Sequence, residues 1–359
     1  MTSPRKRSAH VIGLGLIGGS IAKALHREGW SVTGTDLSES TVSSALADGV
    51  ISGDVPSDNV EVYFVATPTQ GVAKVVQAIL DTRVDSTFIV TDVAGVKGSI
   101  VKGIDDPRFI GGHPMAGSEL SGWSGSRQDM FEGCTWVLTP TAATSADSFA
   151  TLTDVLRSLG ANVLPLDHER HDRLVAMASH VPHLIAGALM NEATTIAIDD
   201  GALLQLAAGG FRDMTRVSAG DSAIWPDLLI ENADAVVASL DAIKGRLITF
   251  SALISSGNRT ELRSQLEGAG QARRALPGRG LPVDDLLTLR IPVPDRPGVL
   301  AQITALASEL NANIYDIEIS HSVEGQPGVL LLTVGRSDSA RLSSELGRKD
   351  MRATIVTSK

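Results

Sequence analysis

Apolar runs rich in β-branched residues alternate with amphipathic helical stretches from residue 8 to about residue 165. After the first two such runs, the strand signals fall at residues 60–68, 86–93, 108–114 and 135–140. This alternation predicts a mostly parallel, doubly wound sheet with helices packed on it. In sheets of this kind, ligands bind outside the carboxyl ends of the strands. The polar residues that follow strand ends, Thr67, Asp92 and His113, are therefore candidates for a ligand site.

The hydrophobic pattern changes beyond residue 165. From 166 to 266, Leu, Ala, Ile and Met recur at helical spacing, which predicts an all-helical domain. The apolar faces of its helices are wider than the packing of one small helical bundle can cover. We therefore expect these faces to be buried against a second copy of the chain in a homodimer. Residues 267–285 are rich in Gly, Pro and Arg and predict a linker. From 286 to 359, strands and helices resume in the order βαββαβ, which predicts a ferredoxin-like module.

The first predicted strand runs directly into Gly13, Gly15 and Gly18, and the second strand ends at Asp36. In a dinucleotide-binding βαβ unit these glycines permit the tight turn, the approach of the pyrophosphate and close helix packing. The phosphates then meet the helix N-terminus, and a carboxylate at the second strand binds the ribose and repels a 2′-phosphate. The segment predicts NAD rather than NADP, and an empty structural turn is the alternative. The expected cofactor contacts are Gly13, Gly15, Leu16, Ile17, Gly18, Asp36, Thr67, Pro68 and Asp92.

The predicted fold class is therefore α/β. A Rossmann-type doubly wound domain over 8–165 precedes the all-α dimerisation domain and the C-terminal βαββαβ module.

Charge and cysteine content narrow the partners of this 359-residue chain. A formal net charge of −10 argues against nucleic-acid and anionic-membrane partners. The single cysteine, Cys134, cannot form an intrachain disulfide, which favours a reducing cytoplasm. The basic start followed by an apolar run imitates a secretory signal, but glycines and Lys23 interrupt that run. We therefore expect a cytoplasmic protein with a small-molecule ligand.

The segment GGHPMAGSE places His113 at a predicted strand end, followed by small residues that leave room for a ligand. An imidazole there can take a proton from a hydroxyl while a neighbouring nicotinamide takes the hydride. A loop histidine bonded to backbone is the alternative. Ser118 and Glu119 either extend the polar wall of the site or cap a helix.

Four histidines fall within DHERHDRLVAMASHVPH, among them His180 and His183. Asp172 and His183 are about three helical turns apart, which predicts nearly the same helix face, and Pro182 is expected to loosen the helix between them. Substrate binding, structural polar contacts and a zinc site are the open interpretations. We predict no metal, because neither an HExxH motif nor a Cys-plus-His spacing is present.

A glycine hinge precedes Arg212, Asp213 and Arg216 in GGFRDMTRVSAGDSAIWPD. Asp213 and Arg216 are three positions apart and can pair on one helical turn. A guanidinium can also clamp a substrate carboxylate through two hydrogen bonds. A surface salt bridge is the alternative.

The chain contains five motifs in this order: GLGLIGGS, VTDVAGVKG, GGHPMAGSE, HDRLVAMASHVPH and GGFRDMTR. A module with PDRPGVL follows them. Together they resemble the prephenate/arogenate dehydrogenase family of tyrosine biosynthesis with a C-terminal ACT domain. The resemblance implies an NAD-dependent oxidative decarboxylation of prephenate to 4-hydroxyphenylpyruvate, with His113 as the catalytic histidine at the C4 hydroxyl. Arogenate, converted directly to tyrosine, is the alternative substrate, although a neutral His183 favours the keto group of prephenate. The substrate-side residues it implies are His183, Arg216, Gly95, Asp172, His180, Gly209, Ser118, Glu119, Asp213 and Trp225.

One departure from the family pattern leaves other functions open. The family usually has Ser where this chain has Gly95, and that hydroxyl supports the substrate hydroxyl and the catalytic histidine. With Gly95 in place of serine, a bound water or the backbone would replace the missing hydroxyl, or the reaction would be slower. A non-catalytic NAD sensor, an amino-acid-binding regulator with a Rossmann scaffold and a β-hydroxyacid dehydrogenase are the competing hypotheses.

The ACT resemblance of the last module implies an amino-acid effector, with tyrosine first and phenylalanine second. The candidate contacts are Asp295, Arg296, Pro297, Gly298, Asn313 and Tyr315. A module used only for oligomerisation is the alternative.

Overall fold

A computed structural model describes residues 6–82, 88–118, 120–220, 222–276, 285–294, 299–320 and 328–356. The chain divides into two compact units. The first unit contains Met1–Asp200 and Met214–Lys244, and the second contains Gly201–Asp213 and Gly245–Lys359.

The first unit is built on a seven-stranded sheet with the order β2-β1-β3-β4-β5-β6-β7. Its strands are β1 Ser8–Ile12, β2 Ser31–Thr35, β3 Val62–Val65, β4 Ile89–Asp92, β5 Phe109–Pro114, β6 Thr135–Thr139 and β7 Asn162–Pro165. All neighbouring strands pair in parallel except β5 and β6, which confirms the predicted mostly parallel sheet. Because the chain leaves β1 for β2 and returns to β3 on its other side, a cleft opens at the carboxyl ends of β1 and β3.

Six helices accompany this sheet: α1 Leu16–Arg27, α2 Glu39–Ala47, α3 Thr69–Thr82, α4 Gly98–Val101, α5 Gly122–Gly125 and α6 Ala146–Ser158. Two buried apolar clusters hold the layers together. One joins α1 and α6 to the sheet, and the other joins α3 and α4 to it. The carboxyl ends of the strands therefore rest on a closely packed frame.

The chain continues through α7 His168–Val175, a π-helical turn Ala176–His180 and α8 Val181–Asp199 as one helical stretch. Pro182 follows this π turn within the continuous helical stretch, so its missing N–H leaves a carbonyl of the preceding turn without its helical bond. The helix between Asp172 and His183 is therefore irregular, as expected from Pro182, and the irregularity takes the form of a π turn. By length and composition alone, His168–Asp199 could cross a membrane, a test that core helices of proteins without a membrane span also pass.

The remaining helices of the central segment are α9 Ala202–Leu206, α10 Gly209–Thr215, 3-10 turns at Arg216–Ala219 and Ser222–Ile224, α11 Trp225–Glu231, α12 Ala233–Ser255 and α13 Arg259–Arg274. The prediction of a linker from residue 267 is wrong as far as Arg274, because α13 continues to that residue. Asn258 caps this helix, and the good helix formers of its last turn outweigh the glycines before them. Residues 277–284 of the predicted linker lie outside the described residues.

Several large apolar side chains of α8 and α12 are exposed in the single chain. They are Ile196, Ile198, Val237, Leu247, Ile248 and Ile254. Exposed apolar surface of this kind is what a subunit interface would cover.

The C-terminal part of the second unit contains β8 Leu286–Val293, α14 Val299–Glu309, β9 Ile314–Ser320, β10 Gly328–Gly335, α15 Arg336–Arg348 and β11 Thr354–Ile355. Its four strands form an antiparallel sheet in the order β11-β8-β10-β9. The βαββαβ order is as predicted. This sheet and its two helices enclose an apolar core of their own.

Candidate active site

Gly13 and Gly15 lie in the turn between β1 and α1, Gly18 lies in the first turn of α1, and the surroundings of the three glycines differ. Gly13 has a φ of +90°, and a Cβ on it would lie 2.5 Å from the carbonyl oxygen of Ala66. A Cβ on Gly18 would lie 1.8 Å from the carbonyl oxygen of Gly13. A Cβ on Gly15, however, would meet nothing within 4 Å. The fold itself therefore requires Gly13 and Gly18, whereas the open space at Gly15 fits a ligand that approaches the backbone.

The first turn of α1 follows this open space. Gly15 is the N-cap of the helix, which begins at Leu16 and has no side-chain cap. The N–H groups of the first turn, which includes Ile17, lack helical partners and favour an anion such as a phosphate.

Asp36 follows β2 and is held by two backbone groups. Its Oδ2 accepts a hydrogen bond of 2.7 Å from the N–H of Leu14, and its Oδ1 accepts one of 2.8 Å from the N–H of Ser38. These bonds fix the carboxylate beside the glycine turn. Each oxygen keeps acceptor capacity for a ribose hydroxyl.

The hydroxyl of Thr67 is a buried polar group that has no hydrogen-bond partner in the described part of the chain. Thr67 follows β3, the neighbour of β1 in the sheet, and Pro68 beside it is exposed. A buried hydroxyl of this kind is stabilised when a ligand supplies its partner. With the open space at Gly15 and the fixed carboxylate of Asp36, these residues fit NAD.

Asp92, by contrast, is engaged by the protein. Its side chain is fully buried and forms an ion pair with Nζ of the equally buried Lys97. It also accepts hydrogen bonds from the N–H groups of Ala94, at 3.0 Å, and Gly112, at 3.1 Å. The predicted cofactor contact through this side chain is therefore wrong, and Asp92 instead ties the end of β4 to β5 next to His113.

His113 lies in the last part of β5 and is half-buried. Its Nδ1 is 2.8 Å from Nε2 of His171, and Nδ1 of His171 is 2.7 Å from Oδ1 of Asp172. Burial lowers the pKa of His113 well below its usual 6.5, and positive charge on His171, Lys97 and His180 lowers it further. His113 is therefore a neutral imidazole that can accept a proton.

His171 is the member of this site to which the sequence assigned no individual role. Its side chain is fully buried although α7 is otherwise polar. A histidine next to an aspartate, on a helix that directly follows the sheet, was the available signal.

Asp172 and His183, for which the spacing predicted nearly the same helix face, have different partners, since His183 stacks on Trp225 whereas Asp172 bonds to the N–H groups at the start of α4. It points towards α4, where its Oδ1 accepts 2.8 Å from the N–H of Lys97 and its Oδ2 accepts 2.7 Å from the N–H of Gly98. Burial would raise the pKa of Asp172, but the hydrogen bonds from His171 and from these two N–H groups lower it below its usual range. The π turn between α7 and α8 shifts the helical register, so the two side chains diverge.

Gly95 lies in the bend after β4, close to the second nitrogen of His113. A Cβ on Gly95 would be 3.8 Å from Nε2 of His113 and 3.1 Å from Cδ2 of Leu228. Leu228, on α11, therefore takes part of the space that a side chain at Gly95 would need. A serine at this position would bring its hydroxyl close to Nε2, which agrees with the family pattern.

His183 and Trp225 form an aromatic stack at the start of α8. Their ring centroids are 3.6 Å apart and their planes are 15° from parallel, and His180 meets the same indole edge to face at 6.2 Å. Burial lowers the pKa values of both histidines. Asn232, which the sequence did not single out, lies 3.3 Å from Nδ1 of His180 and donates a 2.9 Å bond to the carbonyl oxygen of Asp172.

Within the first unit, the other predicted substrate residues form no hydrogen bond, ion pair or ring contact with His113, His171 or Trp225, as far as the structure describes the chain. Arg216 begins a 3-10 turn that packs against α8, and its guanidinium is exposed. Ser118 is exposed, and its hydroxyl accepts a local hydrogen bond of 3.0 Å from the N–H of Leu120, so the predicted helix cap is wrong. Glu119 lies outside the described residues. Gly209 and Asp213 belong to the second unit, so their part in this site remains a prediction.

Within the described ranges, no group of three His, Cys, Asp or Glu side chains is arranged to hold a metal ion. Among the histidines of 168–183, His171 instead bonds to His113 and Asp172, and His183 stacks on Trp225.

Family models match two consecutive segments of the chain. The model of the prephenate dehydrogenase nucleotide-binding domain matches residues 21–165, and that of the prephenate dehydrogenase dimerization domain matches residues 167–268. The chain is also 29% identical to the prephenate dehydrogenase of Bacillus subtilis (strain 168) over 346 residues, which are 93% of each chain.

Two solved structures agree with this assignment. The prephenate dehydrogenase of Aquifex aeolicus, solved with hydroxyphenyl propionate and NAD+, is 28% identical with a TM-score of 0.71, and the match covers 77% of this chain and 100% of that chain. The arogenate dehydrogenase of Synechocystis is 31% identical with a TM-score of 0.65, over 74% and 98% of the two chains. The chain therefore belongs to the prephenate dehydrogenase family.

Proposed function

We propose that this chain catalyses the NAD-dependent oxidative decarboxylation of prephenate to 4-hydroxyphenylpyruvate, with His113 as its proton acceptor. The observation that carries the proposal is the position of His113. It is a neutral imidazole at the carboxyl edge of the sheet that also presents the glycine turn, Asp36 and Thr67.

The chemistry requires a hydroxyl to lose its proton while a hydride leaves the same carbon. NAD, when bound, accepts the hydride from C4 of the ring. His113 accepts the hydrogen bond from the C4 hydroxyl and takes its proton as the C–O bond gains double-bond character. Loss of CO2 from C1 returns an electron pair to the ring, and His113 then returns the proton to the oxygen of the new phenol.

The surroundings of Nε2 of His113 suit this transfer. Gly95 leaves room for a hydroxyl-bearing ring, and the side chain of Leu228 supplies an apolar wall beside it. An apolar wall limits access of water to the reacting oxygen and strengthens the hydrogen bond to His113.

Prephenate carries two carboxylates, and Arg216 is our candidate to bind one of them. Its exposed guanidinium forms no ion pair within the described part of the chain. In a chain of net charge −10, an exposed arginine on the turn that packs against α8 is a local attraction for an anionic substrate.

His183 favours prephenate over arogenate, the candidate that the Synechocystis relative represents. Because burial lowers its pKa, the imidazole stays neutral near pH 7 and can donate to a keto oxygen. Nothing in the stack with Trp225 offers the negative charge that an ammonium group would need.

The C-terminal βαββαβ module is an ACT domain in this proposal, and tyrosine or phenylalanine is its ligand. The predicted contacts at 295–298 lie outside the described residues. Asn313 is exposed just before β9, and Tyr315 is half-buried within that strand.

We further propose a cytoplasmic homodimer in which the exposed apolar residues of α8 and α12 are covered by the second copy.

The test is a comparison of initial rates with prephenate and arogenate, each with NAD and with NADP. We expect prephenate with NAD to be the fastest pair, with NAD preferred by about tenfold or more because Asp36 repels a 2′-phosphate. Asp36→Asn should narrow the gap between the cofactors, with Asp48→Asn as the control. Equal rates with NAD and NADP would remove the role of Asp36, and a faster rate with arogenate would favour the other substrate.

A further inference from the structure

The buried contact between His113 and His171 determines which ring nitrogen of His113 carries a proton. His171 has no exposed side-chain surface. Its Nε2 lies 2.8 Å from Nδ1 of His113, and its Nδ1 lies 2.7 Å from Oδ1 of Asp172. The three side chains form an unbranched line of hydrogen bonds.

The direction of each bond follows from the carboxylate at the far end. Asp172 receives N–H groups from Lys97 and Gly98 at 2.8 and 2.7 Å, and an ionised carboxylate can only accept. Nδ1 of His171 must therefore carry a proton. When His171 is neutral, its other nitrogen is an acceptor, so Nε2 of His171 accepts from Nδ1 of His113; a doubly protonated His171 would donate from Nε2 and give the opposite tautomer of His113.

The same reasoning leaves Nε2 of His113 without a proton. This nitrogen faces the bend at Gly95, where a Cβ would lie 3.8 Å away. The titratable groups around His113 are His171 and His180 from the helical segment and Lys97 from the segment before α4. Positive charge on any of them opposes protonation of His113.

We infer that Asp172 and His171 are positioning residues that hold His113 in the tautomer with a free Nε2. The inference rests on the proposed role of His113 as proton acceptor. In the opposite tautomer, Nε2–H would donate a hydrogen bond and could not take the hydroxyl proton of the substrate.

The first test is the nitrogen NMR spectrum of the ring of His113 in the holoenzyme, labelled with 15N histidine. The inference predicts that the native enzyme has a protonated Nδ1 and an unprotonated Nε2 at pH 7.5. A His113 ring protonated at Nε2 would overturn it. This measurement needs no substrate, so it is independent of whether prephenate is the molecule turned over.

The second test compares two substitutions of His171. His171→Phe keeps a ring but removes both nitrogens, so we expect kcat to fall roughly 10- to 100-fold with KM nearly unchanged. His171→Gln keeps one donor for Asp172 and one acceptor for His113, and should recover most of that loss. In the Phe variant the spectrum of His113 should also become a mixture of tautomers.

His168→Phe is the matched control, because His168 lies on the same helix outside the hydrogen-bonded line. It should leave kcat and the His113 spectrum unchanged. A folded His171→Phe enzyme with native kcat would overturn the inference, as would a Gln variant no better than the Phe variant. Should the Phe variant fail to fold, the native spectrum and the kcat of the Gln variant still test the inference.

Discussion

The two ring nitrogens of His113 have separate tasks because their surroundings differ. Nδ1 is engaged by buried His171, whereas Nε2 faces the bend at Gly95 and the apolar side chain of Leu228. The sequence could indicate His113, because a histidine between glycines and a proline at a strand end is conspicuous. It could not indicate His171 or Leu228, because their roles depend on the packing of α7 and α11 beside β5.

Replacing His113 with Asn should separate turnover from binding. Asn keeps a polar group of similar reach but cannot take the hydroxyl proton, so kcat should fall roughly 100-fold or more while KM changes little. Steady-state kinetics with prephenate and NAD measure both constants. Arg216→Ala should instead raise KM. Near-normal turnover in His113→Asn would remove this histidine from the mechanism.

The pH dependence of kcat/KM reports the same imidazole in the free enzyme. His113 acts only when neutral, and burial moves its pKa well below 6.5, so stronger acid is needed to protonate it. Activity should therefore persist as the pH falls to 6.5 and decline only below that value. A half-maximal point at or above pH 6.5 would contradict the assignment. Circular dichroism over the same range controls for acid unfolding.

At the scale of elements, the β1–α1 turn was predictable and the helical register was not. The glycine spacing locates the turn because Gly13 has a positive φ and Gly18 lies against the carbonyl oxygen of Gly13, and both are local features of the chain. Pro182 indicates an irregular helix but does not indicate its form, a π turn at Ala176–His180, so Asp172 was predicted to face the same way as His183. Likewise, the Gly, Pro and Arg content after residue 266 predicted a linker where α13 continues to Arg274.

Two alanine substitutions in the glycine turn should have opposite consequences. Gly18→Ala forces a Cβ to within 1.8 Å of the Gly13 carbonyl oxygen, so it should destabilise the fold. Gly15→Ala meets open space, so the melting temperature should change little while NAD affinity falls. Thermal unfolding and NAD titration measure the two effects. Unchanged NAD affinity in Gly15→Ala would count against a pyrophosphate at this turn.

At the scale of the whole molecule, each unit contains the core it needs. His113, His171 and Asp172 lie in the first unit, while the sheet of β8 to β11 encloses its own apolar cluster. Apolar β-branched runs that alternate with helical stretches predicted the first sheet, and the βαββαβ order of strands and helices predicted the second. The relation between the units leaves no such pattern in the sequence.

Truncation after Leu276 should therefore leave dehydrogenase activity and remove any effect of tyrosine. The solved Aquifex aeolicus chain, matched over its full length, covers 77% of this chain. A ligand acts only through its different affinity for two states, and the truncated chain would lack that ligand site. Inhibition of both forms to the same extent would place tyrosine at the active site instead.

The central claim is that hydride transfer and decarboxylation of prephenate occur together at His113. The most direct measurement follows NADH absorbance and released CO2 in one reaction of the native enzyme with prephenate and NAD. We predict one CO2 for each NADH, with both rates lowered equally in His113→Asn. NADH formed without CO2, or no NADH from prephenate, would contradict the account.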